Sequence, residues 1–232
     1  ANNRAPERKL RIGYVSGDFR HHSAVTVFGA MVLKHDREQF ETYCYSSAAQ
    51  GDAITDRLRA GVTAWRDISI WSDDRLEQQI RDDAIDILVD LSGHSNGNRM
   101  PLFARKPAPV QVTGWGYITG TGLDTIDYIF ADADTIRPGE EQWYAEEVVR
   151  LPRIVSYWPA DGEQVGPVAP SPYLANGFLT YGVMNRLGKI RPEVIGLWAR
   201  ILQAVPDARL IVKNRRVQVE FDPYVQVDGF VE

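Results

Sequence analysis

KLRIGYVSGDFRHHS, residues 9 to 23, joins a short apolar run to a charged turn that carries two histidines. Leu10, Ile12 and Val15 predict a β-strand, and Ser16-Gly17-Asp18 ends it with residues typical of turns. The following residues, 24 to 33, have apolar side chains at helical spacing. In an open parallel α/β sheet, ligands bind beyond the carboxyl ends of the strands. This turn is therefore the first place where a site is expected.

Asp18, His21 and His22 lie in this turn. A carboxylate and an imidazole four residues apart can form a general-base pair, in which the aspartate orients the ring as it takes up a proton. The alternative is that Asp18 caps the next helix and that the histidines are solvated turn residues. A metal site is not expected, because the other histidines, His35 and His94, show no ligand spacing to this turn.

Composition excludes several classes of protein. The chain has 232 residues, of which 44% are hydrophobic and 25% charged, as is usual for a globular protein. Its 26 basic and 31 acidic residues give a formal charge of -5, so no general basic field attracts nucleic acid. The polar start has no signal-peptide core, and no apolar run is long enough to span a bilayer. With Cys44 as the single cysteine, these features predict a reduced, cytoplasmic protein without membrane partners.

Strand and helix patterns alternate along the first 150 residues. After the first strand and helix, strands are predicted at 40–45, 65–68, 85–91, 110–113, 127–131 and 147–151. Helices are predicted at 52–60, 72–84, 98–104 and near 140–144. This alternation predicts βαβ units, a mostly parallel sheet and an α/β fold of Rossmann-like type.

The later sequence predicts a second, incomplete domain. Four prolines and two glycines between residues 158 and 175 are typical of an extended linker. A strand at 178–184, a helix with Pro192 in its first turn and a strand at 208–212 follow, which are too few elements for a stable sheet domain. The predicted organisation is a tail at 1–9, a first domain at 10–157, a linker at 158–176 and a partial second domain at 177–232.

Two further turns in the first domain are candidate ligand contacts. His94 follows the strand at 85–91 in DLSGHSNGN, and GWGYITGTG at 114–122 follows the next strand. Glycines let a backbone approach a ligand closely, and free N–H groups can hold phosphate or sugar oxygens. The competing interpretations are a histidine in an ordinary polar turn and a tight loop around Trp115 and Tyr117. The glycine loop is not the dinucleotide fingerprint, since it does not open a helix after the first strand.

Polar residues also precede the helix of the second domain. Asn185, Arg186 and Lys189 lie where cations oppose the helix dipole, and an anion held between them and the helix amides would resolve that conflict. A solvated basic turn is the alternative.

Other charged residues are given structural roles. Asp132 and Asp134 could be catalytic or bind a ribose, but capping is the favoured interpretation. Arg105, Lys106 and the pair at 215–216 are interpreted as solvated charges.

Three stretches taken together resemble a known family. They are LRIGYVSGDFRHHS, ILVDLSGHSNGNRMPLFARKPAPVQVTGWGY and LTYGVMNRLGKIRPEVIGLWARILQAVPDARLIV, and they are similar to the catalytic region of the O-GlcNAc transferase/SPINDLY family. The resemblance implies an inverting glycosyltransferase of family GT41 with the GT-B architecture, two facing Rossmann-like domains. It also implies UDP-GlcNAc as donor, serine or threonine of a protein or peptide as acceptor, no metal cofactor, and tetratricopeptide repeats upstream.

The resemblance assigns site residues in the first domain. Asp18 and His22 match the aspartate and histidine on the sugar and acceptor side of the cleft. Trp115 and Gly116 match a Leu-Gly pair whose backbone lies against the donor, with Tyr117 beside them.

It also assigns residues in the second domain. Lys189 matches the lysine that binds the diphosphate, and Arg186 stands where the transferase branch has a glutamine that contacts the nucleotide. Lys189 is therefore expected to stabilise the charge of the leaving diphosphate.

The chain departs from the family pattern at several points. Ile118 replaces a proline, and the later nucleotide-binding turn of the second domain has no counterpart after Val212. Two alternatives stay open: a GDP-fucose-dependent protein O-fucosyltransferase of the SPINDLY type, and a non-catalytic binding or scaffold module.

Overall fold

The computed structural model describes residues 2–117, 119–154, 166–185 and 187–213. The chain forms two compact units, residues 1–163 and 164–232, which are described separately.

The first unit is built on a parallel sheet of seven strands. The strands are β1 Leu10–Ser16, β2 Phe40–Ser46, β3 Ala64–Asp67, β4 Ile87–Asp90, β5 Val110–Thr113, β6 Tyr128–Ala131 and β7 Glu147–Arg150. Their order across the sheet is β3-β2-β1-β4-β5-β6-β7, and every neighbouring pair is parallel. The predicted α/β fold with a Rossmann-like sheet is confirmed. Because the order reverses between β1 and β4, the carboxyl ends of these two strands form a switch point, where such sheets bind ligands.

Helices join successive strands of this unit. They are α1 Val25–Leu33, α2 Ala53–Gly61, α3 Asp73–Asp82 and α4 Met100–Phe103. The sheet separates two buried hydrophobic layers, because successive side chains of a strand point to opposite faces. Val15 and Tyr45 pack in one layer with Leu76 of α3, whereas Tyr14 and Cys44 pack in the other layer with residues of α1 and α2. Each fully buried large apolar side chain contributes about 1.5–3 kcal/mol to folding.

Side-chain caps fix the starts of two helices. The Asp52 carboxylate accepts hydrogen bonds from the backbone N–H groups of Ile54 and Thr55, and Thr55 completes a capping box. The Ser72 hydroxyl accepts a hydrogen bond from the N–H of Arg75, so the predicted cap of α3 is present. By contrast, α1 begins after Ala24 without a side-chain cap, so Asp18 does not cap it.

Two helices of this unit are shorter than the sequence predicts. The helix predicted at 98–104 is confined to the four residues of α4, which contains a proline in its first turn. The helix predicted near 140–144 is only a 3-10 turn at Glu141–Trp143. Pro107 and Pro109 lie just beyond α4 and limit its extension.

The second unit has four described elements. They are α5 Pro172–Asn176, β8 Thr180–Val183, α6 Pro192–Ala204 and β9 Arg209–Val212, with a 3-10 turn at Leu187–Lys189 before α6. Strands β8 and β9 pair in parallel. The extended linker predicted to reach residue 176 is wrong at its end, where α5 forms, because Ser171-Pro172 can start a helix and Gly177 ends it with a φ of +73°.

Among the helices that the structure describes, none combines the length and the apolar character needed to cross a membrane. The cytoplasmic location stays a prediction.

Candidate active site

Three segments meet beyond the carboxyl ends of β1, β4 and β5. The N–H of Leu91 donates to the carbonyl oxygen of Val15 at 3.0 Å, and the N–H of Gly17 donates to Oγ of Ser92 at 3.3 Å. On the other side of β4, the N–H of Gly114 donates to the carbonyl oxygen of Asp90 at 3.3 Å. These hydrogen bonds continue the strand pairing into the turns, so the turns are held together at the switch point.

Asp18 and His22 are neighbours in the first of these turns. Oδ2 of Asp18 lies 3.4 Å from Nδ1 of His22, and their side chains are 14% and 33% exposed. Both groups are thus close enough to interact and still reachable from solvent. The N–H of Asp18 donates to Oγ of Ser16 at 3.0 Å, which ties the start of the turn to β1.

Nδ1 of His22 has two possible partners. The N–H of Ala24 donates to it at 3.2 Å, and the Asp18 carboxylate faces it. In the tautomer that accepts from Ala24, Nε2 carries the proton and cannot act as a base. If Nδ1 is protonated and turns towards Asp18, Nε2 is free to take a proton, as general-base catalysis requires. The ring can therefore act as a base only when Nδ1 donates its proton to Asp18 in place of accepting from Ala24.

The turn is anchored to α2 rather than to the helix that follows it. Phe19 is fully buried, and its carbonyl oxygen accepts the hydroxyl of Thr55 at 2.7 Å. The N–H of His21 donates to Oδ2 of Asp52 at 2.6 Å, while the His21 side chain is exposed. The backbone of His21 thus holds the turn, and the structure shows no contact between its ring and the Asp18–His22 pair.

Asp90 fixes the second turn, which follows β4, and the sequence analysis did not identify it as a candidate. Its carboxylate is buried and accepts the N–H of Ser92 at 3.0 Å, the N–H of Gly93 at 2.9 Å and the hydroxyl of Thr113 at 2.7 Å. Burial raises the pKa of this carboxyl above its ordinary value, against the effect of these hydrogen bonds. The one sequence signal was an aspartate that closes an apolar strand just before Ser-Gly.

The third segment, residues 114–117, packs its backbone directly against the second. A Cβ added at Gly116 would lie 1.5 Å from the carbonyl oxygen of Leu91, so only glycine fits there. Trp115 has a φ of +59°, and its ring packs edge-on against Phe130 at 5.3 Å between centroids. This strained conformation lets the indole reach an apolar cleft, whose other walls are Val27, Tyr117, Ala131, Thr135, Ile136 and Ile154.

His94 contacts the glycine loop. Its Nε2 lies 3.0 Å from the carbonyl oxygen of Thr121, and its ring meets the ring of Tyr117 edge-on at 5.7 Å between centroids. Gly93, with a φ of +51°, makes this possible, because a Cβ there would lie 2.4 Å from Cβ of Tyr117. The structure thus brings together two residues that the sequence placed in separate turns.

The candidates of the second unit lie between β8 and α6. Lys189 is exposed and ends the 3-10 turn three residues before Pro192, the first residue of α6. Asn185 is exposed close after β8. Arg186 lies outside the described residues, as do Ile118 and the pair at 215–216.

Asp132 serves as a cap of a turn after β6. It accepts the N–H of Ile154 at 3.0 Å and the N–H of Thr135 at 2.9 Å. Chiefly because of these two hydrogen bonds, the pKa of Asp132 falls to about 2. Asp134, by contrast, is exposed and pairs with Arg153 at 2.8 Å.

Arg105 is exposed and Lys106 is half-buried, and both also form ion pairs. Arg105 pairs with Asp74 and, at 3.3 Å, with Glu77, and Lys106 pairs with Asp127. The carboxylates come from α3 and from the start of β6, which sequence neighbours do not reveal. Within the described ranges, no group of three or more histidine, cysteine or acidic side chains has the geometry of a metal site.

Comparison with known proteins identifies the family of this chain. Residues 1–164 match the family model described as Glycosyl transferase family 41. The probable UDP-N-acetylglucosamine–peptide N-acetylglucosaminyltransferase SPINDLY of Solanum lycopersicum is 45% identical over 217 residues, which are 91% of this chain and 23% of that protein. The probable enzyme of the same description named SEC, from Arabidopsis thaliana, is 32% identical over 213 residues, 88% of this chain and 22% of that protein.

A solved structure agrees with the sequence relatives. A mutant of the O-GlcNAc transferase of Thermobaculum terrenum superposes with a TM-score of 0.79 and is 44% identical, over 90% of this chain and 39% of that one. The chain thus spans about a quarter of the length of the curated relatives that it matches. Since the family model covers the whole first unit, the chain belongs to glycosyltransferase family 41.

Proposed function

We propose that this chain is the part of a protein glycosyltransferase that carries the acceptor-side catalytic residues and the start of the donor-binding domain. The proposed reaction transfers N-acetylglucosamine from UDP-GlcNAc to a serine or threonine hydroxyl. The observation that supports it most is the approach of Asp18 to His22 at the switch point of a sheet that belongs to family 41. The relatives named above carry UDP-N-acetylglucosamine in their names.

In the proposed step, the acceptor hydroxyl oxygen attacks the anomeric carbon of the sugar. The bond between that carbon and the β-phosphate oxygen breaks, and its electron pair leaves with UDP, so the configuration at the anomeric carbon inverts. The hydroxyl proton passes to Nε2 of His22, with Asp18 holding Nδ1–H, or directly to the Asp18 carboxylate. A positioned base contributes about 10²- to 10⁴-fold to the rate.

The leaving diphosphate gains negative charge, which has to be stabilised. Lys189 is the proposed cation for this purpose, and the N–H groups at the start of α6 add to its effect. The backbone of residues 114–117, pressed against the second turn, is the proposed contact of the first unit with the donor. The step is proposed to need no metal ion, and retention of activity in the presence of a chelator tests that.

The base hypothesis predicts the effect of His22→Ala. Transfer from labelled UDP-GlcNAc to a serine-containing peptide should fall about 10²-fold or more, whereas the affinity for UDP should stay within about twofold, since the ring acts on the acceptor proton. Lys34→Ala, an exposed change just after the far end of α1, is the control and should leave both quantities unchanged. Loss of UDP binding in His22→Ala would assign the ring to the donor instead. Replacing UDP-GlcNAc by GDP-fucose in the same assay distinguishes the fucosyl alternative.

The charge hypothesis predicts the effect of Lys189→Ala. Calorimetric titration with UDP should give a Kd raised about tenfold or more, as expected when a charge-assisted hydrogen bond to a phosphate is lost. Arg200→Ala, which removes an exposed cation from α6, should change the Kd less than about twofold. Equal Kd values for the chain and for Lys189→Ala would refute the assignment, and absence of saturable UDP binding by the chain would favour the scaffold alternative.

A further inference from the structure

Glu146 is a buried acid of the first unit, and the proposed reaction does not use it. The residue precedes β7 in the chain and is 3% exposed. Oε1 accepts the N–H of Thr121 at 2.6 Å and also the hydroxyl of Thr121. A carboxylate in such a place costs free energy unless it is well paired, so its contacts call for an explanation.

Only one of its two oxygens is paired. Among the described residues, Oε2 of Glu146 has no hydrogen-bond partner. A Cβ on Gly120 would lie 2.9 Å from this oxygen, so the glycine lets the loop lie directly over the carboxylate. The Glu146 carboxylate therefore holds the glycine loop through hydrogen bonds to a single residue, Thr121.

The position of Thr121 in turn determines which ring nitrogen of His94 carries a proton. The carbonyl oxygen of Thr121 can only accept a hydrogen bond, and Nε2 of His94 lies 3.0 Å from it. Nε2 must therefore carry a proton, which in the neutral ring leaves Nδ1 as an acceptor. The ring is exposed and meets Tyr117 edge-on, so Nδ1 can be approached from solvent.

We infer that Glu146 is a positioning residue: by holding Thr121 it fixes the Nε2–H tautomer of His94, so that Nδ1 accepts a hydroxyl of the sugar nucleotide. The ligand half of this inference rests on the proposed function. The tautomer half does not, because it follows from hydrogen bonds within the chain. The hydroxyl oxygen of Thr121 also accepts the N–H of Leu123 at 3.3 Å, which further fixes this part of the loop.

Long-range proton–nitrogen correlation spectra of the chain with ¹⁵N-labelled histidine test the tautomer. The chain has four histidines, and His94→Gln assigns the signals of His94 by their loss. At a pH where the rings are neutral, His94 should be protonated at Nε2 in the unchanged chain and in Glu146→Gln, which keeps an acceptor oxygen for Thr121. Glu146→Ala should give a mixture of tautomers.

A matched variant separates this effect from a simple loss of charge. Glu147→Ala removes a neighbouring exposed carboxylate from β7 and should keep the Nε2–H form. If Glu146→Ala does not fold, Glu146→Leu serves instead, because it removes both acceptor oxygens and keeps an apolar side chain in the buried space. An Nδ1–H ring in the unchanged chain, or an unaltered ring in the folded Glu146→Ala or Glu146→Leu variant, would overturn the inference.

The transfer assay tests the ligand half. The KM for UDP-GlcNAc should rise about three- to tenfold in Glu146→Ala, as for one lost hydrogen bond, and kcat should change less. Glu146→Gln and Glu147→Ala should stay within about twofold. A raised KM with an unaltered tautomer would show that Glu146 acts by another route. If the chain transfers no sugar from any donor, the proposed function fails, and the spectra still decide the role of Glu146.

Discussion

At the scale of single residues, the candidate site depends on close backbone packing. Trp115 adopts a left-handed conformation that costs a non-glycine residue about 1–2 kcal/mol. The N–H of Gly116 donates to the carbonyl oxygen of Gly114 at 2.7 Å, which tightens the bend around Trp115. Strain of this kind persists when surrounding contacts over-determine it, and here the contact is the approach of Gly116 to Leu91.

This packing predicts a large effect of Gly116→Ala. The added methyl would collide with the carbonyl oxygen of Leu91 at 1.5 Å, and a backbone atom cannot move aside as a side chain can. We expect the free energy of unfolding to fall by about 3 kcal/mol and sugar transfer to be lost, as measured by urea denaturation and the peptide assay.

Gly122→Ala provides the control for this change. Gly122, unlike Gly116, has a positive φ of +73°, but nothing lies within 4 Å of a Cβ added there. Its cost should therefore be only the conformational one of about 1–2 kcal/mol. Equal losses for the two variants would show that the collision with Leu91 is relieved at little cost and does not make glycine necessary at residue 116.

At the scale of elements, the Asp52 side chain at the start of α2 both caps this helix and holds a neighbouring turn. Asp52 caps α2 through Oδ1 and holds the turn of Asp18 and His22 through Oδ2, which accepts the N–H of His21. The hydroxyl of Thr55 adds a second contact between the helix and this turn. This turn follows β1 in sequence but depends on Asp52, which lies 31 residues after His21 in the chain.

Asp52→Ala should therefore lower both stability and activity. We expect a loss of about 2 kcal/mol in the free energy of unfolding, at the upper end for a lost cap. Turnover should also fall, since the turn loses its hold on α2. Ser72→Ala removes the cap of α3 and should cost about 1 kcal/mol while leaving turnover unchanged. If the two variants affect turnover equally, Asp52 has no special role in positioning the turn.

At the scale of the whole molecule, strand order determines where chemistry can occur. Because β1 and β4 are neighbours, the turn after β1 meets the turn after β4, although 70 or more residues separate them in the chain. The glycine loop joins them because β5 pairs with β4. The second unit contributes its own exposed cation, Lys189, ahead of α6.

Much of the fold could be predicted because its signals are local. The run IDILVDL is apolar on both faces, and it forms the buried central strand β4. Ser72 and the acidic residues after it start α3 as expected. Predictions failed at Glu141–Trp143, where only a 3-10 turn forms, and at the end of the predicted linker, where Pro172 starts a helix.

The candidate site was predictable only in part. Asp18 and His22 are four residues apart, so their proximity follows from a single turn. The roles of Asp90 and Glu146 could not be found in this way, because their partners Thr113 and Thr121 are 23 and 25 residues distant. Nothing in the pair Glu146-Glu147 indicates which carboxylate is buried.

The sequence by itself determined most of the strands and helices, the turn that joins an acid to a histidine, and the family resemblance. These features depend on side-chain spacing within one segment and on turn chemistry between adjacent residues. Only the tertiary structure decided that His94, Thr121 and Glu146 form one hydrogen-bonded series and that Asp52 holds the turn of Asp18 and His22. Such contacts require strands and helices that are distant in sequence to become neighbours. Their proximity follows from the order of the strands across the sheet, which no local pattern specifies.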